Sequence, residues 1–73
     1  MSRKLSEVGP GEQADLLEIK GGGYLRRRLT ELGFIAGEKI KVIRNSGYGP
    51  VVLTVKGSRI VLGRGEAGKV SVI

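Results

Sequence analysis

Glycine spacing is the feature that most constrains this chain. Thirteen of its 73 residues are glycine, spread so that only short segments lie between them. A glycine inside a helix or strand costs roughly 0.5–1 kcal/mol relative to alanine, so the elements must sit between the glycines. Most of those segments alternate apolar and polar residues. Short alternating segments with glycine turns are the pattern of a small all-β barrel.

The segments can be followed in order. Gly9-Pro10-Gly11 is a turn signal. Ala14 to Ile19 reads as a strand with Leu17 and Ile19 on one face. After Gly21-Gly22-Gly23, the stretch Tyr24 to Gly33 places Leu25, Leu29 and Leu32 at i, i+4 and i+7, the face of one short helix. Gly33 falls where a helix-ending left-handed residue belongs. So short a helix is unstable alone, and Leu29 and Leu32 are expected to be buried against the barrel. Gly37 suits the left-handed corner of a type II turn.

Lys39 to Arg44 forms the next strand, with Ile40 and Val42 inward. Residues 45–50 form a loop, and Val51 to Lys56 follows with Val51, Leu53 and Val55 inward. Gly57-Ser58 reads as a two-residue hairpin turn of type II′. Arg59 to Gly63 returns with Ile60 and Leu62 inward, Arg64 to Gly68 turns, and Lys69 to Ile73 alternates to the end. The expectation is one domain over 1–73: five strands closing into a barrel, with one short α-helix. In this assignment Leu16, Ile43, Val52, Val61 and Ile73 face outward, Phe34 belongs to the core, and an outward apolar group marks an interaction patch.

Composition limits the chemistry. With no histidine and no cysteine, the commonest general base, thiolate catalysis and disulfides are all missing. Serine and lysine have no evident base beside them, so the chain is not expected to be an enzyme. No cofactor is expected. Glu7, Glu12, Asp15 and Glu18 match no calcium-loop spacing, and no tight ferrous site is expected without imidazole or thiolate. Gly21-Gly22-Gly23 lacks the Lys-Ser/Thr pair of a phosphate loop, since Tyr24-Leu25 follows. No apolar run suits a signal peptide or a membrane span, which predicts a cytoplasmic protein.

Charge says more about partners. The net charge is +6; residues 1–20 carry three basic and four acidic groups, residues 21–73 ten basic and three acidic. Such an excess steers a domain toward something acidic. Arg26-Arg27-Arg28 opens the helix and Glu31 sits near its end. Both placements oppose the helix dipole at about 0.3–1 kcal/mol per exposed charge. Pairs of Arg27 or Arg28 with Glu31 return only about 0.2–0.5 kcal/mol. Two readings stay open: a solvated face, or a contact surface in which Tyr24, Arg26 and Arg27 meet acidic groups of a partner. The outward Val52 and Val61 are the alternative partner site. A small basic barrel binding RNA or DNA is the rival function, although only Tyr24, Phe34 and Tyr48 are available to stack bases.

The stretch Arg28-Leu29-Thr30-Glu31-Leu32-Gly33-Phe34-Ile35-Ala36-Gly37-Glu38-Lys39-Ile40 resembles the FeoA family of small cytoplasmic proteins of bacterial ferrous-iron transport. Leu5 with Pro10-Gly11, Gly49-Pro50, Val55-Lys56-Gly57 and Ala67 with Val70 and Val72 continue the resemblance over nearly the whole chain. It differs at Ala36, where many members carry proline, and the triple arginine exceeds the single Arg28 that fits the motif. The resemblance implies an SH3-like barrel. It also implies a partner, the cytoplasmic part of FeoB, a GTP-binding membrane transporter of ferrous iron, and a role in binding rather than catalysis.

Overall fold

The computed structural model describes residues 2–73. Its elements run β1 (Arg3–Lys4), a 3-10 turn (Leu5–Glu7), β2 (Gln13–Ile19), α1 (Gly23–Glu31), β3 (Lys39–Arg44), β4 (Val51–Val55), β5 (Ser58–Leu62), α2 (Arg64–Ala67) and β6 (Val70–Val72). One antiparallel six-stranded sheet has the order β1-β6-β2-β3-β4-β5. Strand β2 serves both halves. Its first residues, Gln13 to Asp15, pair with β3, and from Leu16 onward it pairs with β6. The sheet curls about this strand around a core that includes Leu5, Leu29, Phe34, Ile40, Leu53 and Leu62. The SH3-like architecture is the expected one.

Each difference has an identifiable cause. A sixth strand exists because Arg3 and Lys4 pair with Val72 and Ser71. Neither residue is apolar, so no alternation announced it. Residues 64–68, expected as a turn, include α2. The Glu66 Oε1 accepts a 3.2 Å hydrogen bond from the Gly63 N–H and so satisfies a donor at the helix start. In β2 the inward residue is Leu16, 3% exposed, whereas Leu17 is 40% exposed, the reverse of the expectation. The register shifts between Leu16 and Glu18; the extra residue of this bulge flips the faces beyond it, so Ile19 still points inward. Strand β5 ends the sheet order and keeps one edge unpaired, so closure of the barrel stops short there.

Helix α1 is held at its end more firmly than at its start. Gly33 takes φ +103°. The Phe34 N–H donates to the Leu29 carbonyl and the Gly33 N–H to the Thr30 carbonyl, each at 3.0 Å. These two bonds form a Schellman motif, whose flanking apolar contact is supplied by the buried pair Leu29 and Phe34. Leu29 is fully buried, but Leu32 is 41% exposed, contrary to expectation. The helix stops at Glu31, and the reversal at Gly33 sends Phe34 rather than Leu32 into the core.

Two turns also bear on the sequence reading. The Glu38 N–H donates to the Ile35 carbonyl with Gly37 at φ +91°, the expected type II turn. The β4–β5 hairpin turns at Lys56-Gly57, not Gly57-Ser58, because Val55 pairs with Ser58. Lys56 at φ 52° and Gly57 at φ 78° make it type I′ rather than II′. The left-handed region costs an ordinary L-residue about 1–2 kcal/mol, and asparagine tolerates it best. Lys56→Asn is therefore expected to raise the melting temperature. The exposed Lys56–Glu38 pair, 3.7 Å apart, contributes at most about 1 kcal/mol. Thermal unfolding in high salt, where that pair is screened, isolates the gain.

Candidate partner interface

Two surfaces can meet a partner. The first lies along α1. Tyr24 stands in its first turn, 80% exposed, beside the exposed Arg26 and Arg27. Arg26 lies across the end of β2, its Nη2 donating to the Ile19 carbonyl at 3.3 Å. Arg28 reaches away from Glu31 to Glu66 of α2, which settles the fate of one of the three arginines. Neither Arg26 nor Arg27 makes an ion pair among the described residues, so two charges that oppose their own helix dipole are free for a partner.

Beside Arg26 a groove of about 420 Å³ opens between α1 and β2, lined by Leu17, Phe34, Ile35 and Ala36, with Glu18 and Arg26 as its charged members. The bulge in β2 leaves Leu17 here, and the turn after α1 brings Ile35. Neither is evident from the sequence, where strand alternation places Leu17 inward and Ile35 reads only as part of a turn. An apolar floor with Arg26 on one side and Glu18 on another suits an apolar side chain, with any accompanying carboxylate on the Arg26 side.

The second surface is the outer face of β3, β4 and β5. Val61 is exposed, Val52 half-buried and Ile43 exposed at its margin. Val52 stands opposite Val61 and beside the bulge that carries Ile43 and Arg44. The expected strand patch therefore exists without Leu16, which is core, and without Ile73, which exchanges two 2.9 Å backbone hydrogen bonds with Asp15 of β2. Lys41, Arg44 and Arg59, which frame the patch, make no ion pair among the described residues.

The acidic residues do not converge. Glu12 pairs with Arg3 and Asp15 with Lys39, while Glu18 lines the groove. Among the described residues no group of three or more carboxylates could hold a metal ion, and no helix is long and apolar enough to cross a membrane.

Comparison with known proteins gives these surfaces a context. A relative from Methanocaldococcus jannaschii, provisionally named Fe(2+) transport protein A, is 44% identical over 62 residues, 85% of this chain and 74% of its own. A Porphyromonas gingivalis protein, a fusion of Fe(2+) transport protein A with the Fe(2+) transporter FeoB, is 33% identical over 70 residues; the match spans 94% of this chain but 8% of the fusion. A crystal structure of an iron uptake regulatory protein, FeoA, superposes with a TM-score of 0.91 at 38% identity, covering 99% of this chain and 96% of that one. The zinc complex of Stenotrophomonas maltophilia FeoA, described as an SH3 domain protein, gives 0.87 at 29% identity, covering 97% and 89%. A manganese-dependent transcriptional repressor also superposes, at 0.90, but its 16% identity speaks for the fold alone. The FeoA domain model matches residues 3–73, and with these relatives it shows that the chain belongs to the FeoA family.

Proposed function

We propose that this chain is a cytoplasmic accessory protein of ferrous-iron transport that acts by binding the cytoplasmic part of a FeoB-type transporter. The observation that carries the reading is the P. gingivalis fusion, in which a domain related to this one is joined covalently to FeoB. Fusion keeps two modules at high effective concentration, which is useful when the separate modules must meet. The chain itself contributes a surface. It needs no catalytic group for this role, and iron is the transporter's cargo rather than a resident of the domain.

The contact is assigned to Tyr24, Arg26 and Arg27 together with the adjoining groove. Tyrosine and arginine are enriched among residues that dominate interfaces, and here they flank an apolar floor. Exposed cations mainly set association rate and salt dependence. Arg26→Glu with Arg27→Glu is therefore expected to leave the fold intact and weaken binding to the soluble cytoplasmic domain of a FeoB-type transporter about tenfold or more at low salt. Tyr24→Ala is expected to weaken it as well. Biolayer interferometry across a salt series checks both. Unchanged binding in the double glutamate variant would move the contact to Val52 and Val61.

The net charge of +6 favours a second reading, RNA or DNA binding. On the accessory reading, nucleic acid binds only weakly and the affinity falls steeply with salt. Specific submicromolar binding of an oligonucleotide at physiological salt would replace the transporter reading.

A further inference from the structure

Strand β5 presents an edge that no backbone hydrogen bond uses among the described residues. It stands last in the sheet order. The pairs are Val55 with Ser58, Thr54 with Arg59, Leu53 with Ile60, Val52 with Val61 and Val51 with Leu62. Val55 and Ser58 flank a two-residue turn and therefore exchange both of their hydrogen bonds. Bonded and non-bonded pairs alternate along an antiparallel ladder. The N–H and C=O groups of Arg59 and Val61 consequently point away from β4. Among the described residues neither makes a backbone bond outside the hairpin, and both side chains are exposed.

Proteins usually blunt such an edge with proline, a bulge, a cover or charged side chains; here the charge is that of Arg59, which deters a like-charged copy but not an acidic strand. Strand β5 has no proline and no register shift. The rows of side chains that reach this edge are sorted by chemistry. One row runs from the Ile43–Arg44 bulge through Val52 to Val61 and is largely apolar. The next runs through Lys41 and Thr54 to Arg59 and is polar and cationic. Lys41, Arg44 and Arg59 are absent from the ion pairs of the described residues, so this face carries uncompensated positive charge.

We infer that the β5 edge accepts an extended acidic segment of a protein partner as an added strand. The backbone groups of Arg59 and Val61 supply four hydrogen bonds, and the side-chain rows supply selectivity, as in other strand-addition modes. In antiparallel addition the residue opposite Val61 precedes the one opposite Arg59 by two positions. The favoured pattern is therefore an apolar residue, any residue, then aspartate or glutamate. Charge selects an acidic partner over a second copy, because each copy carries +6. This surface is separate from the α1 groove, and its use does not depend on the contact assigned there.

The probe is a heptapeptide with valine followed two residues later by glutamate, the remaining residues serine and threonine, titrated into the full 15N-labelled chain. The expected result is shift changes centred on β5 and new hydrogen-exchange protection at the Arg59 and Val61 amides. N-methylation of the peptide at its valine and glutamate, or lysine in place of the glutamate, is expected to lower affinity at least tenfold. Val61→Pro removes the outward N–H but no ladder bond and should have the same effect. If that variant does not fold, Arg59→Glu serves instead and should reverse the preference toward the lysine peptide. Equal affinity for the N-methylated peptide, or shifts centred on Tyr24 and Arg27, would overturn the inference. So would protection that rises with protein concentration alone, or displacement of the peptide by an equimolar thymidine oligonucleotide.

Discussion

Leu29→Ala is expected to destabilise the fold by about 2–5 kcal/mol, the usual cost of truncating a buried leucine. Leu29 is fully buried and does two things at once. Its side chain joins α1 to the core, and its carbonyl accepts hydrogen bonds from both the Leu32 and Phe34 N–H groups. Truncation opens a cavity beside Phe34, the apolar partner in the helix-ending motif. A domain this small has a thin core and little stability to spare, so the variant is expected to be largely unfolded at 37 °C. Urea unfolding followed by far-ultraviolet circular dichroism measures this. A midpoint equal to the parent's would mean that α1 is not packed as described. Leu32→Ala serves as the contrast: at 41% exposure it is expected to change stability by well under half as much.

The second large effect is expected at a polar residue. Asn45 opens the loop after β3, and its Nδ2 donates to the carbonyls of Ser6 and Val8, at 2.9 and 2.8 Å. Its Oδ1 accepts from Arg64 Nη2 and from the Gly47 N–H at 3.1 Å. Arg64 in turn donates to the carbonyls of Gly49 and Ser6, at 3.1 and 3.2 Å. One amide and one guanidinium thus tie the N-terminal 3-10 turn, the 45–50 loop and α2 together. Leaving a partly buried partner unsatisfied costs about 1–3 kcal/mol. Asn45→Ala is expected to fall in that range. Arg64→Ala is expected to cost less when Asn45 is already gone, and a double-mutant cycle by chemical denaturation measures that coupling. Additive effects would show that the two residues act independently.

What the sequence revealed depends on how local each cause is. The β3–β4–β5 meander was legible because Ile40, Val42, Val51, Leu53, Val55 and Leu62 alternate at the strand period and are all buried. Gly33 and Gly37 were legible because a positive φ at a helix end or a turn corner is set by a few neighbours. The Leu16–Glu18 bulge was not, since it arises from pairing with β6, more than fifty residues away in the chain. Nor was the Arg28–Glu66 pair, separated by 38 residues; no helix-local rule could prefer Glu66 over Glu31. Within the candidate interface, the exposure of Tyr24, Arg26, Arg27 and Val61 followed from helix and strand periodicity. The groove between α1 and β2 did not, because its floor depends on the same bulge.

The strand order has a kinetic consequence. Strands β3, β4 and β5 are joined by short connections and need only local contacts to form. Strand β6 must insert between β1 and β2, although it follows both by some fifty residues or more. Closing so long a loop is entropically costly before its contacts repay it, and nonlocal pairing of this kind slows folding. The rate-limiting step therefore falls on the docking of Val70–Val72. Until it occurs, a nascent chain that has already formed its meander still exposes the facing edges of β1 and β2.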